Sequence, residues 1–412
     1  ASVSGSATST TYNGTTQTQN AATTSGFISG DDITVSGLAT GRNAGTYTSS
    51  LAVGGSDAGN YTVSYTNADL SIGKKGASVS GSATSTTYNG TTQTQNAATT
   101  SGFISGDDIS ISGLASGRNA GTYTSSLGVN GTDKDNYTIT YTNADLSIGK
   151  KNASVTGTAT STTYNGTTQT QNAATTSGFI SGDDITVSGL ATGRNAGTYT
   201  SSLAVGGSDA GNYTVSYTNA DLSIDRAAVT VSSSDITKTY DGTTSASGNG
   251  TITSGTLFGT DSIDYSGLGY AFSNKNAGTN KTVIVNGTAA ISDGNSGNNY
   301  SVSYINNTTS TISPKAASVS GSATSTTYNG TTQTQNAATT SGFISGDDIT
   351  VSGLATGRNA GTYTSSLAVG GSDAGNYTVS YTNADLSIGK KGASVSGSAT
   401  STTYNGTTQT QN

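Results

Sequence analysis

The string "TTYNGTTQTQN" occupies residues 10–20 and returns unchanged at 86–96, 162–172, 326–336 and 402–412, with a variant, "KTYDGTT", at 238–244. Its tyrosine falls at Tyr12, Tyr88, Tyr164, Tyr240, Tyr328 and Tyr404, so the spacings are 76, 76, 76, 88 and 76 residues. This places repeats at 1–76, 77–152, 153–228, 229–316 and 317–392, and the start of a sixth at 393–412. Residues 1–76 and 317–392 are identical. A period of this length suits a small domain, whereas the alternative, a continuous β-solenoid, would show coils of about 20–25 residues.

Within each repeat the pattern is two-residue alternation. "DITVSGL" (32–38) sets Ile33 and Val35 against Thr34 and Ser36, and "NYTVSYT" (60–66) sets Tyr61, Val63 and Tyr65 against Thr62, Ser64 and Thr66. "ADLSI" (68–72) does the same with Leu70 and Ile72. Such alternation predicts half-buried antiparallel strands, and β-branched Thr and Val favour them. Turns fall at Asn13-Gly14, Ser29-Gly30-Asp31, Arg42-Asn43-Ala44-Gly45 and Gly54-Gly55-Ser56-Asp57, because Gly and Asn tolerate the positive φ of tight turns. The fold class is therefore all-β: a tandem array of small antiparallel β-sandwich-like domains. The predicted core of the first repeat is Val3, Tyr12, Phe27, Ile33, Val35, Leu38, Tyr47, Leu51, Val53, Tyr61, Val63, Tyr65, Leu70 and Ile72. The longer fourth repeat adds residues on both sides of its "NAG" turn, which predicts that the flanking strands pair as a hairpin.

Composition restricts the chemistry. Among 412 residues there is no Cys, His, Met or Trp, every acidic residue is Asp, and Pro314 is the single proline. Only 9% of residues are charged and the net charge is −7, with basic residues scattered, so nucleic acid is not an expected partner. Disulfides and thiolate metal sites are excluded. No run of about 18 apolar residues is present, so membrane insertion within this segment is not expected. The lack of Met, with no visible signal peptide, reads as an excerpt of a longer protein.

The signature string has a structural reading. Tyr12 anchors on the core, Asn13-Gly14 turns the chain, and Thr15 and Thr16 either resume a strand or bond the turn through their hydroxyls. Asp241-Gly242 after Tyr240 serves the same turn. "KTYDGTT", the Thr-Asp step at Asp261, "NAGT", "NNYSVSY" and the closing "STISPK" resemble the YDG and MBG repeat domains of large secreted bacterial adhesins of the filamentous-haemagglutinin, two-partner-secretion type. The other repeats keep "GDD", "NAGTY" and "LSI", with "GNYTVSY" in the first, third and fifth and "DNYTITY" in the second, but carry Asn in place of Asp241. The resemblance implies a secreted, cell-surface or biofilm-matrix protein whose repeats form a stalk.

Candidate sites are few. Without His or Glu a Ser-His-Asp triad is impossible, and no enzymatic activity is expected. Calcium, the one cofactor worth weighing, needs several oxygen ligands. The "GDD" pairs Asp31-Asp32, Asp107-Asp108, Asp183-Asp184 and Asp347-Asp348 supply carboxylates, with Asp57 and Asp69 nearby, while the fourth repeat breaks the pair as Asp261-Ser262. These aspartates read first as turn caps, so little calcium dependence is expected. Arg42, Arg118, Arg194 and Arg358, with Lys275, precede the "NAG" turn and read as solvated. Asn-X-Ser/Thr triplets at Asn13, Asn60, Asn136 and Asn286 read as by-products of an Asn- and Thr-rich chain. The expected function is a structural stalk or filament in an extracellular adhesin or matrix. Its partners are neighbouring repeats, copies of itself or surface glycans. A repeated carbohydrate-binding module acting by avidity is the alternative.

Overall fold

The structure, a computed structural model, describes residues 1–410. The expected start of a sixth repeat, 393–412, therefore ends with two positions outside the described residues. The chain divides into two compact units. The first comprises Ala1–Thr160, Thr170–Thr192 and Tyr199–Leu222, and the second Ser161–Gln169, Gly193–Thr198 and Ser223–Asn412.

In the first unit, residues 1–73 set the pattern. Ten short strands form: β1 (Ser2–Ser4), β2 (Thr8–Thr11), β3 (Gln17–Thr18), β4 (Thr23–Ser25), β5 (Thr34–Ser36), β6 (Thr40–Gly41), β7 (Gly45–Thr48), β8 (Ala52–Gly54), β9 (Ser64–Thr66) and β10 (Asp69–Gly73). They make two three-stranded sheets, β4-β1-β9 and β2-β10-β7, and two ladders, β3-β6 and β5-β8. The alternation correctly predicts strands, but not their direction. β1 runs parallel to β9 and β2 parallel to β10, while the other pairs are antiparallel. The parallel pairs bring the two ends of a repeat together, which a local pattern cannot reveal. The next strand, Lys75–Ser80, begins one residue after β10.

The hairpin expected around the "NAG" turn is absent from the first repeat, where β6 pairs with β3 and β7 with β10. It is present in the long repeat of the second unit, where Leu268–Phe272 pairs antiparallel with Gly278–Gly287. There the added residues lengthen both arms until they join a five-stranded sheet. β6 is too short to do so.

The cores are thin and partly polar. Val3, Tyr12, Leu51, Leu70 and Ile72 are buried as expected. Phe27, Ile33, Val35, Leu38, Tyr47, Val53, Tyr61 and Val63 are half-buried. Tyr65 is 45% exposed, a correction to its expected core position, because β9 is an edge strand. Ala39, Gln19 and Ser49 are buried in addition. The apolar cluster around Tyr12, Leu70 and Ile72 extends to Ala77, Phe103, Ile104 and Tyr137 of the next repeat. An equivalent cluster joins Tyr88, Leu146 and Ile148 to Ala153, Phe179, Ile180 and Tyr213. Successive repeats therefore share apolar interior.

Residues 393–410 form no strand, and Val395 and Tyr404 are almost fully exposed. In the second repeat the corresponding strands pair with Thr99–Ser101, Tyr137–Thr142 and Asp145–Gly149.

Candidate functional site: the junction between repeats

The eleven-residue signature aims one tyrosine at the following repeat. Tyr12 leaves the end of β2 with its N–H donating to Gly73 O at 2.9 Å. Asn13 Oδ1 accepts from the Thr15 N–H at 3.0 Å and the Thr15 hydroxyl at 2.9 Å, closing an Asx turn. Gly14 is needed twice over. Its φ is +81°, and a Cβ there would lie 3.1 Å from Ile104 Cγ2 of the next repeat. Gln17 Nε2 donates back to Thr11 O at 3.1 Å. The buried Gln19 side chain donates to Ser6 O at 3.1 Å and accepts from the Ala39 N–H at 3.2 Å. The Asx turn and the Gln17 bond thus brace the turn that follows Tyr12.

The target is Asp107, the first carboxylate of the next "GDD", whose side chain is 2% exposed. The Tyr12 hydroxyl donates to it at 2.9 Å, and the Tyr137 hydroxyl donates to the same carboxylate from within the second repeat. The two rings meet edge to face, centroids 5.4 Å apart. Tyr137 also accepts the Ile104 N–H at 2.9 Å. Arg42 completes the group: Nη2 lies 3.2 Å from Asp107, Nη1 lies 3.1 Å from Asp133, and Nε donates to Gly14 O at 3.1 Å. The Ala44 N–H donates to Oδ1 of buried Asn136 at 2.8 Å.

The same arrangement recurs downstream. In the first unit Tyr88 meets Asp183 at 2.9 Å, Arg118 bridges Asp183 and Asp209, and the Ala120 N–H meets Asn212. In the second unit Tyr164 meets Asp261 and the Ala196 N–H meets Asn299. Tyr240 there meets Asp347, Lys275 bridges Asp347 and Asp373, and the Ala277 N–H meets Asn376. Burial pushes Asp347 up, but hydrogen bonds from Tyr377, Lys275 and Tyr240 together outweigh it and hold the carboxyl below its ordinary range. Hydrogen bonds to Asp347 first, then to Tyr240 and Asp373, hold Lys275 above its own ordinary value. Asp241 keeps the signature turn through the Thr243 N–H. Although burial pushes its carboxyl up, hydrogen bonds from Lys238 and Thr243 bring it down to about 2.

The paired carboxylates separate by role. Asp107, Asp183 and Asp347 face tyrosine and a cation across a junction, and Asp31 accepts from Tyr61 of its own repeat. The second members, Asp32, Asp108, Asp184 and Asp348, each accept the backbone N–H and hydroxyl of a Ser or Thr in a turn. Those bonds, the backbone one first, lower their carboxyls. Among the described residues no group of three or more acidic side chains is placed to hold a metal ion. The cation that does meet Asp107 and Asp133 is the Arg42 guanidinium.

Arg42, Arg118 and Lys275, read as solvated turn residues, do stay partly exposed, but they also bridge aspartates of the next repeat, which that reading did not place. Their partners lie 65 to 98 positions away. Arg194 and Arg358 donate to the carbonyls of Gly166 and Gly330. Asn136, Asn212, Asn299 and Asn376 were missed as junction residues. Their recurrence before the same tyrosine was the available signal. Asn136 is buried, whereas Asn13, Asn60 and Asn286 are exposed.

Two later copies of the signature isolate what the junction adds. Around Tyr328 and Tyr404 the Asx turn still forms. Yet Tyr328 is half-buried, Tyr404 is exposed, and no atom lies within 4 Å of a Cβ at Gly330 or Gly406. The turn is local chemistry, and the burial comes from the neighbour.

The junction tyrosines should set the alkaline limit of stability. Burial first, then the adjoining Asp107, Asp183 or Asp347, pushes the Tyr137, Tyr213 and Tyr377 hydroxyls up to about 12 from 10.0. A raised folded pKa gives stability that is complete below the unfolded value and lost as pH rises through the folded one. Denaturant midpoints should therefore hold to pH 10 and fall between 10 and about 12 as phenolate absorbance grows. Midpoints flat across that interval would refute the assignment.

The family model for the YDG domain matches residues 225–310 and 313–384. No curated protein matches the chain. Among solved structures, Drosophila N-cadherin EC1-4 is 6% identical, covering 84% of this chain and 83% of that one, with a TM-score of 0.19. Sidekick-1 immunoglobulin domains 1-5 are 10% identical, covering 93% and 97%, also with a TM-score of 0.19. Scores of that size carry no structural inference. Residues 225–310 and 313–384 are thus similar to the YDG domain and lie within an all-β repeat array.

Proposed function

We propose that this chain is the structural repeat region of a secreted bacterial adhesin or extracellular-matrix protein, acting as a stalk or filament at the cell surface or in a biofilm matrix. One observation carries the reading: the tyrosine–aspartate contact recurs at four successive junctions, each time between a signature and the following repeat. An array whose members are locked by side chains as well as by the chain itself suits holding two points apart. No catalytic residue, cofactor or calcium requirement enters this reading. Melting one-, two- and three-repeat pieces tests it. A lone repeat, such as 77–152, should fold weakly because a domain this small buries only about 60% of its unfolded surface. Each added neighbour should raise the midpoint by supplying a junction. Equal midpoints for all three lengths would defeat the proposal, since the repeats would then be independent beads.

A further inference from the structure

The two ends of the second repeat run side by side in an unbroken register. In the second repeat Lys75–Ser80 pairs parallel with Tyr137–Thr142, and Thr84–Thr87 pairs parallel with Asp145–Gly149. Lys75 aligns with Tyr137, Ser80 with Thr142, Thr84 with Leu146 and Thr87 with Gly149, so every pair lies 62 residues apart. The offset survives the passage from one sheet to the other, where the Gly81 N–H donates to Thr142 O at 2.8 Å. The Tyr88 N–H closes the far end on Gly149 O, also at 2.8 Å. The first and fifth repeats use the same offset. The long repeat steps by one residue, from Ala227–Tyr300 to Thr237–Thr311. Val79, Tyr88, Leu146 and Ile148 are buried beneath this double strand and keep water from its hydrogen bonds.

Tension along the chain enters this repeat at Lys74 and leaves at Lys150. It draws residues 75–88 backward and residues 137–149 forward. Between parallel strands these pulls act along the strand axis, so the slanted hydrogen bonds of both segments are strained together. Pulled from one shared end, the same bonds would open one after another. We propose that the paired ends of each repeat are a shear clamp, an element that resists tension passed along the chain. This rests on the stalk reading above, and it adds what the stalk must withstand. Tyr88 stands where the clamp ends and the next junction begins, with its N–H on Gly149 and its hydroxyl on Asp183.

The chain has no cysteine, so handles can be attached at chosen points of the full chain. Lys74, Thr92 and Lys150 are all exposed. Lys74→Cys with Lys150→Cys pulls the second repeat in shear. Thr92→Cys with Lys150→Cys pulls both segments from the same end. Forced unfolding reads the rate of crossing the barrier rather than the equilibrium, so pulling direction alone changes the outcome. Single-molecule stretching should give a rupture force several-fold higher for the first pair. Equal forces, or a weaker first pair, would overturn the clamp while leaving the stalk reading to the melting series. Equal melting midpoints with the direction dependence intact would do the reverse.

Discussion

Asp107→Ala is expected to destabilise the joint between the first two repeats by about 2–4 kcal/mol, because it strands two buried tyrosine hydroxyls at once. Tyr12 and Tyr137 both donate to that carboxylate, from different repeats, and neither has water to fall back on. Arg42 suffers less, since its side chain is 44% exposed and solvent takes up part of its charge. Asp107→Asn keeps an acceptor and should recover part of the loss. Asp108→Ala is the internal comparison. It removes the adjacent carboxylate, which serves only a turn at Thr132, and its effect should be much smaller. Native-state hydrogen exchange at the Tyr12 and Gly81 amides would resolve the local effect, because opening is read residue by residue. Similar losses for Asp107→Ala and Asp108→Ala would show that the junction contributes nothing beyond turn capping.

Tyr88→Ala should cost more, about 3–5 kcal/mol, as truncation of a fully buried aromatic side chain leaves a cavity. The ring lies in a cluster shared with Tyr213, Phe179 and Ile180 of the next repeat, so the cavity would open at a junction. Unfolding, expected as a single transition in the parent, should then separate into two. Tyr404→Ala changes the same residue of the same string, yet Tyr404 is exposed and its removal should leave stability unchanged. Tyr328→Ala should fall between, because that ring is half-buried. Calorimetry of the three variants checks the order. Equal losses would place the value of the tyrosine in its turn rather than in its neighbour.

The repeat period, the strands and the turn at Asn13-Gly14 were legible in the sequence because each depends on neighbours in the chain. Alternation marks a strand, and Asn-Gly marks a turn, whatever lies beyond. Tyr12 was legible as a core residue for the same reason. That its hydroxyl belongs to another repeat was not, since Asp107 is 95 positions away. Arg42 and Asn136 were misread on similar grounds: a lone cation before a turn and an Asn-Tyr-Thr triplet look unremarkable until their partners are placed. Strand direction was hidden too, because β1 and β9 meet only after the rest of the repeat has folded between them. The fourth repeat shows the one case where length itself informed, as its added residues do build the hairpin.

Each repeat carries one half of the junction on its signature and "NAG" turn and the other half on its "NY" segment and the first aspartate of "GDD", which in the fourth repeat is Asp261. Excising or duplicating a whole repeat, of either length, brings matching halves together again. Lys275 in place of Arg, and Asp241 in place of Asn, do not break the fit, since the long repeat still meets Asp347 through Tyr240. A gain or loss of whole repeats would therefore keep the two halves of each junction matched, without a new interface having to arise.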